Sequence, residues 1–141
     1  MTDSDGGTDA SRTAVRDATP DDALDVRRVL NGALLDVPDD LEHRLRAGEV
    51  LVSVDDGTVT GALVLDGSHV EAVAVRRRRR GGGIGGDLVR TAAERADGTL
   101  TADFRADIAP FYESLGFEVE SDEENASEEH RLRGALHERR D

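Results

Sequence analysis

Val75-Arg-Arg-Arg-Arg-Arg80-Gly-Gly-Gly-Ile-Gly-Gly86-Asp-Leu88 joins an apolar run to a helical pattern through five arginines and five glycines. A strand-to-helix turn without Cβ atoms lets a polyanion approach the main chain. The first turn of the helix that follows offers unpaired N–H groups at the positive end of its dipole. Arginine adds countercharge in a planar fork suited to phosphate oxygens. The stretch therefore predicts a phosphate cradle. For Arg76, Arg77, Arg78 and Arg79 a solvated turn carrying countercharge for an acidic surface fits as well, whereas Arg80 abuts the glycines.

Downstream, Ile84, Leu88, Ala92 and Ala96 recur at helical spacing and predict a helix over residues 85–96 that stops at Asp97-Gly98, with Gly98 as its C-cap. Residues 100–104 read as a short strand. Asp107 is placed to cap a further helix that tolerates Pro110 in its first turn, with Ile108, Phe111 and Leu115 on one face. Gly116 ends that helix before a strand at Phe117-Glu118-Val119, and Phe111 and Phe117 read as core. Residues 121–129 form an acidic loop and residues 130–136 a weak last strand.

Upstream, Thr19 caps a helix with Pro20 at its first position and acids in its first turn. Ala23, Leu24, Val26, Val29, Leu30 and Ala33 supply its apolar face. A short helix runs from Asp39 or Asp40 to Ala47, ended by Gly48. Residues 50–54 and 58–65 are β-rich runs joined by Asp55-Asp56-Gly57, a hairpin signal, and Asp66-Gly67 turns into a third run over residues 69–75. Three consecutive antiparallel strands follow. The whole order, beginning with a strand before the first helix, predicts an α/β fold with a mixed central sheet of about six to seven strands flanked by about four helices.

The chain has 141 residues, enough for one domain with a real core, expected over residues 13–141 behind a disordered acidic leader at residues 1–12. It carries 31 acidic against 18 basic residues, a net charge of −13, and every basic residue is arginine. Such self-repulsion is screened at molar salt, where the Debye length falls to about 3 Å, so a salt-rich, halophilic cytoplasm is expected. The sign of the charge disfavours nucleic acid as a partner. No run approaches a membrane span or a signal peptide. The absence of cysteine and the scattered His43, His69, His130 and His137 give no metal-ligand spacing.

Two segments carry a resemblance to the GNAT superfamily of acyl-CoA-dependent N-acyltransferases. Arg80-Gly-Gly-Gly83-Ile-Gly85 is similar to the family's [Arg/Gln]-x-x-Gly-x-[Gly/Ala] pyrophosphate loop, and within Ala109-Pro-Phe-Tyr-Glu-Ser-Leu-Gly-Phe117 the run from Phe111 to Phe117 is similar to its [Phe/Leu]-Tyr-Glu-x-x-Gly-Phe segment. The chain departs from the family at Ala106, where an asparagine is common. The resemblance implies a GNAT-like fold and direct transfer of an acetyl group from acetyl-CoA, without a metal, to a small-molecule or peptide amine. It also implies that Val73, Ala74 and Val75 bind the pantetheine arm, and that Arg80, Gly81, Gly82, Gly83, Ile84, Gly85 and Gly86 hold the diphosphate. In the same way it suggests a strand carboxylate as the base, for which alternation selects Glu71 on the face of Val73 and Val75, with His69 or a water as alternatives, and Tyr112 as the acid that protonates the thiolate. An ordinary buried tyrosine fits the residue type equally. Residues 31–40 and 121–129 are where acceptor choice is expected, and the molecule is expected to be a monomer or homodimer.

Two rivals remain. One is a CoA-binding or regulatory module without turnover. The other is a dinucleotide-binding oxidoreductase, suggested by Gly81-x-Gly83-x-x-Gly86 with Asp103 on the next strand; the five arginines after the preceding strand count against it.

Overall fold

The computed structural model describes residues 13–96, 98–120 and 131–137; the expected leader and the acidic loop lie outside the described residues. The chain runs through β1 (Thr13–Asp17), a 3-10 turn (Pro20–Asp22), α1 (Ala23–Gly32), α2 (Leu41–Arg46), β2 (Val50–Asp55), β3 (Thr58–Asp66) and β4 (His69–Val75). It continues through a second 3-10 turn (Arg77–Arg79), α3 (Ile84–Arg95), β5 (Leu100–Arg105), a third 3-10 turn (Ala106–Ile108), α4 (Ala109–Ser114), β6 (Glu118–Glu120) and β7 (Arg131–Leu136). The strands form one sheet in the order β1-β2-β3-β4-β5-β7-β6. Pairing is antiparallel except between β4 and β5. The expected mixed sheet and flanking helices are borne out.

The β2–β3 turn shows how local chemistry sets the register. Asp56 and Gly57 take φ of 54° and 81°, the left-handed pair whose twist matches the two strands it joins. Alternation along the paired strands then sends side chains to two cores. Val50, Val52, Ala62 and Val64 meet α1 and α2 through Val26, Leu30 and Leu41. Leu51, Leu63 and Leu100 meet α3 and α4 through Leu88, Val89 and Tyr112.

Details differ from the sequence reading. Leu24 is 58% exposed, because it lies about 200° around the helix from buried Val26. Ala96, with extended backbone, caps α3, and Gly98 (φ 107°) sits beyond it in the link to β5. Asp107 falls inside the third 3-10 turn, so Ile108 is the N-cap of α4. The last strand, read as weak, inserts between β5 and β6. Among the described residues no helix is long and apolar enough to cross a membrane.

At the start of the first helical segment the Thr19 N–H donates to Asp22 Oδ2 at 2.8 Å, and Arg16 donates to both carboxylate oxygens at 2.8 and 3.2 Å. The hydrogen bond from Arg16, ahead of that from Thr19, lowers Asp22 below the ordinary aspartate value of 3.8. Stabilisation by a group lowered in this way is complete above the unfolded-state value and is lost as pH falls through the folded-state one. Asp22→Asn is therefore expected to cost about 1 kcal/mol in urea unfolding at neutral pH, with the difference vanishing in acid.

Ser53 lies fully buried opposite Gly61, and its Oγ has no hydrogen-bond partner among the described residues. Gly61 is bare for a reason: a Cβ there would stand 3.0 Å from Ile84 Cγ2 and 3.1 Å from Leu88 Cδ1, in the first turns of α3. Since a buried hydroxyl without a partner costs about 1 to 3 kcal/mol, Ser53→Ala is expected to raise the unfolding free energy by about 1 kcal/mol. Chemical denaturation of the two proteins side by side measures it.

Candidate active site

β4 and β5 stay paired only at His69↔Thr101 and Val70↔Ala102, and then diverge. Beyond Val70 the β5-facing edge of β4 has no strand partner among the described residues. A cleft of about 690 Å³ fills the resulting V, with Val73, Ala74 and Val75 on one wall, and Phe104 and Arg105 of β5 on the other. Ile108, Phe111 and Leu115 line it from the region of α4, so the face they share turns toward the cleft. Phe111, expected in the core, is only partly buried there.

The glycine turn closes one end. Gly81 and Gly83 have φ of 87° and 88°, and a Cβ on either would meet nothing within 4 Å. Gly83 is the N-cap of α3, and the first bond across the helix start runs from Asp87 N–H to Gly83 O at 3.0 Å. The N–H groups of Ile84, Gly85 and Gly86 precede that bond, at the positive end of the helix. Gly81, Gly83, Ile84, Gly85 and Gly86 all line the cleft; Gly82 does not.

The arginine run divides by role. Arg76 Nε donates to Val59 O at 2.6 Å, and Arg79 pairs with Asp55 at the end of β2 at 2.5 Å. Arg80 Nε turns back to Val75 O at 2.9 Å. Arg79 and Arg80 line the cleft, joined by Arg90 from the next turns of α3. Arg77 and Arg78 do not line it. Cationic groups thus gather at the glycine end, while Glu71 lies four residues back along β4, about 13 Å away, with Asp103 lining the same cleft from β5.

Tyr112 is 5% exposed and lines the cleft from α4. Its ring stacks on Phe104 at 4.1 Å and 9°, and it meets Phe111 and Phe117 edge-on at 4.9 and 5.1 Å. Two aromatic edges and one face fix the ring plane. Gly134 of β7 makes room for this stack, since a Cβ there would stand 3.0 Å from Phe104 Cε2.

Simple alternation along β4 puts Glu71 on the same face as Val73 and Val75, and the structure corrects this. Val64 pairs with Ala72 but Leu65 pairs with Val70, so Glu71 is the extra residue of a β-bulge. Val70 takes the face of Val73 and Val75, and Ala72 and Ala74 face the other core. The Glu71 carboxylate meets Arg44 of α2, with Nη1 to Oε1 at 3.1 Å.

A second cavity of about 520 Å³ adjoins the first, lined by Asp36, Asp39, Asp40, Arg44, His69 and other residues of the α1–α2 link and β4. Leu35, Val70, Glu71, Ala72 and Asp103 line both, so Glu71 and Asp103 stand at their junction. His69 bridges the paired end of the V, with Nδ1 2.7 Å from Thr101 Oγ1 and Nε2 3.5 Å from Asp103 Oδ2. A hydrogen bond to Asp40 Oδ1 at 2.9 Å, reinforced by the charge of Glu71, raises Arg44 above the ordinary arginine value; the same bond lowers Asp40. Sequence reasoning missed Arg44, Arg90, Phe104 and Gly134. Of these, only Arg90 follows the glycine segment closely enough to be caught by helical spacing.

The model of the acetyltransferase (GNAT) domain matches residues 46–119, just over half of the chain. No curated protein matches significantly. Among solved structures, yncA of Salmonella typhimurium, determined with its cofactor acetyl-CoA, is 22% identical with a TM-score of 0.70 over 89% of this chain and 94% of that one. A GNAT-family acetyltransferase of Bacillus cereus is 15% identical, with a TM-score of 0.75 over 91% and 99%. Arabidopsis thaliana Naa50, in complex with the bisubstrate analogue CoA-Ac-MVNAL, is 14% identical, with a TM-score of 0.68 over 88% and 97%. These likenesses share the fold described above.

Proposed function

Because the chain belongs to the GNAT acetyltransferase family, we propose that it transfers an acetyl group from acetyl-CoA directly to the nitrogen of an amine. The observation that carries this reading is the glycine turn at the N-terminus of α3, set at the open end of the V between β4 and β5. A doubly wound dinucleotide fold needs several parallel strands. Here β4–β5 is the one parallel pair among the described residues.

Acetyl-CoA, when bound, supplies an acetyl group activated as a thioester. Gly81, Gly83, Ile84, Gly85 and Gly86 hold its diphosphate on main-chain N–H groups, and Arg80 adds charge. Val73, Ala74 and Val75 receive the pantetheine arm along the unpaired edge of β4, as an added strand is received. Open space over Gly81 and Gly83 and the unpaired N–H groups of the α3 start fit such a ligand. Glu71 accepts the proton that an acceptor ammonium must lose, since its reference pKa is about 10.4. Tyr112 donates a proton to the departing thiolate. The acetyl-CoA of the Salmonella structure and the CoA-Ac-MVNAL of the Arabidopsis one support the reading.

The acceptor is a small-molecule or peptide amine of the cytoplasm. A thiol-release assay with acetyl-CoA and a panel of amines, run at low and at molar KCl, tests the proposal. Amine-dependent thiol release is the expected result. Acetyl-CoA binding with no amine-dependent release would instead mark a silent CoA-binding module.

A further inference from the structure

We propose that Arg44 is a positioning residue for Glu71, holding that carboxylate at the junction of the two cavities. The inference rests on the reading of Glu71 as proton acceptor. A bulged residue has no cross-strand partner to fix its side chain, and the Glu71 side chain is 35% exposed. What fixes it comes from outside the sheet.

Arg44 is itself fixed. Its side chain is 14% exposed, its Nε donates to Asp40 Oδ1 at 2.9 Å, and its Nη1 donates to Leu65 O at 2.8 Å. Leu65 is the β3 residue beside the bulge, so one guanidinium grips both the main chain that makes the bulge and the carboxylate that protrudes from it. A planar donor fork can span these acceptors together, which a lysine ammonium cannot do in the same geometry. The ion pair runs through Oε1. The other ionisable groups around the pair include Asp36, Asp39, Asp40 and Asp66 on the Arg44 side, and His69 and Asp103 across the junction.

The test is a double-mutant cycle in steady-state transfer to an amine active in the thiol-release assay. It measures kcat, KM for acetyl-CoA and melting temperature for wild type, Arg44→Gln, Glu71→Gln and the double variant. Arg44→Gln is expected to lower kcat roughly tenfold to a hundredfold while leaving KM for acetyl-CoA within about twofold. Added to Glu71→Gln it should cost nothing further. Arg44→Lys should recover part of the loss, and Asp40→Asn, which keeps both Arg44 and Glu71, should lose part of it. These two variants carry the test should Arg44→Gln not fold. An equal drop in kcat from Arg44→Gln in both backgrounds overturns the proposal and leaves the role of Glu71 standing. Full activity of Glu71→Gln overturns both.

Discussion

Replacing Gly83 by aspartate is expected to abolish acetyl-CoA binding while the protein stays folded. Gly83 caps α3 with φ of 88°, and any Cβ there projects into open space in the cleft. A left-handed aspartate costs about 1 kcal/mol, and a carboxylate at the positive end of the helix dipole returns about 0.3 to 1 kcal/mol. The fold therefore changes little. The ligand's position is different, because the new carboxylate would take the N–H groups meant for a diphosphate and set like charges side by side. At about 4 Å and an effective dielectric of 20, each such pair repels by about 4 kcal/mol, roughly a thousandfold in affinity. Gly83→Asn has nearly the same shape and the same tolerance of left-handed backbone without the charge, and should lose only about tenfold. Titration calorimetry with acetyl-CoA, alongside thermal melts of both variants, measures the contrast. Equal affinity in wild type and folded Gly83→Asp would place the phosphates elsewhere.

Tyr112→Phe is expected to lower kcat by about a hundredfold or more, the usual contribution of a positioned general acid, with acetyl-CoA affinity within about twofold of wild type. The substitution keeps the ring stacked on Phe104 at 4.1 Å and its two edge contacts, so packing is held constant while the hydroxyl is removed. Single-turnover transfer and equilibrium binding, measured on the same preparation, separate the two quantities. Equal loss of turnover and affinity, or no loss of either, would take the proton-donating role away from Tyr112.

The parts legible in the sequence were those set by local chemistry. Asp56-Gly57 forced a hairpin because two left-handed residues in a row fit only that turn. The glycine run announced the start of α3 because only a chain without Cβ atoms offers its N–H groups so openly. The parts that escaped depend on partners distant in sequence. Whether β4 bulges is decided by how it pairs with β3, and alternation within β4 alone put Glu71 on the wrong face. Arg44 sits on a different element from the carboxylate it grips, and no spacing rule links them. Gly134 reads as an ordinary strand glycine until the Phe104 ring is seen above it. Helix ends slipped at Gly98 and Asp107 because 3-10 turns and extended caps compete closely with the expected caps.

All of the proposed chemistry requires that the main chain over residues 81–86 grips a diphosphate. Calorimetric titration of the wild-type protein with acetyl-CoA in molar KCl measures that grip directly, with NADH as the comparison ligand. Saturable binding of acetyl-CoA at one site, lost in Gly83→Asp, is the predicted result. No heat from acetyl-CoA, or saturation by NADH in its place, would contradict it.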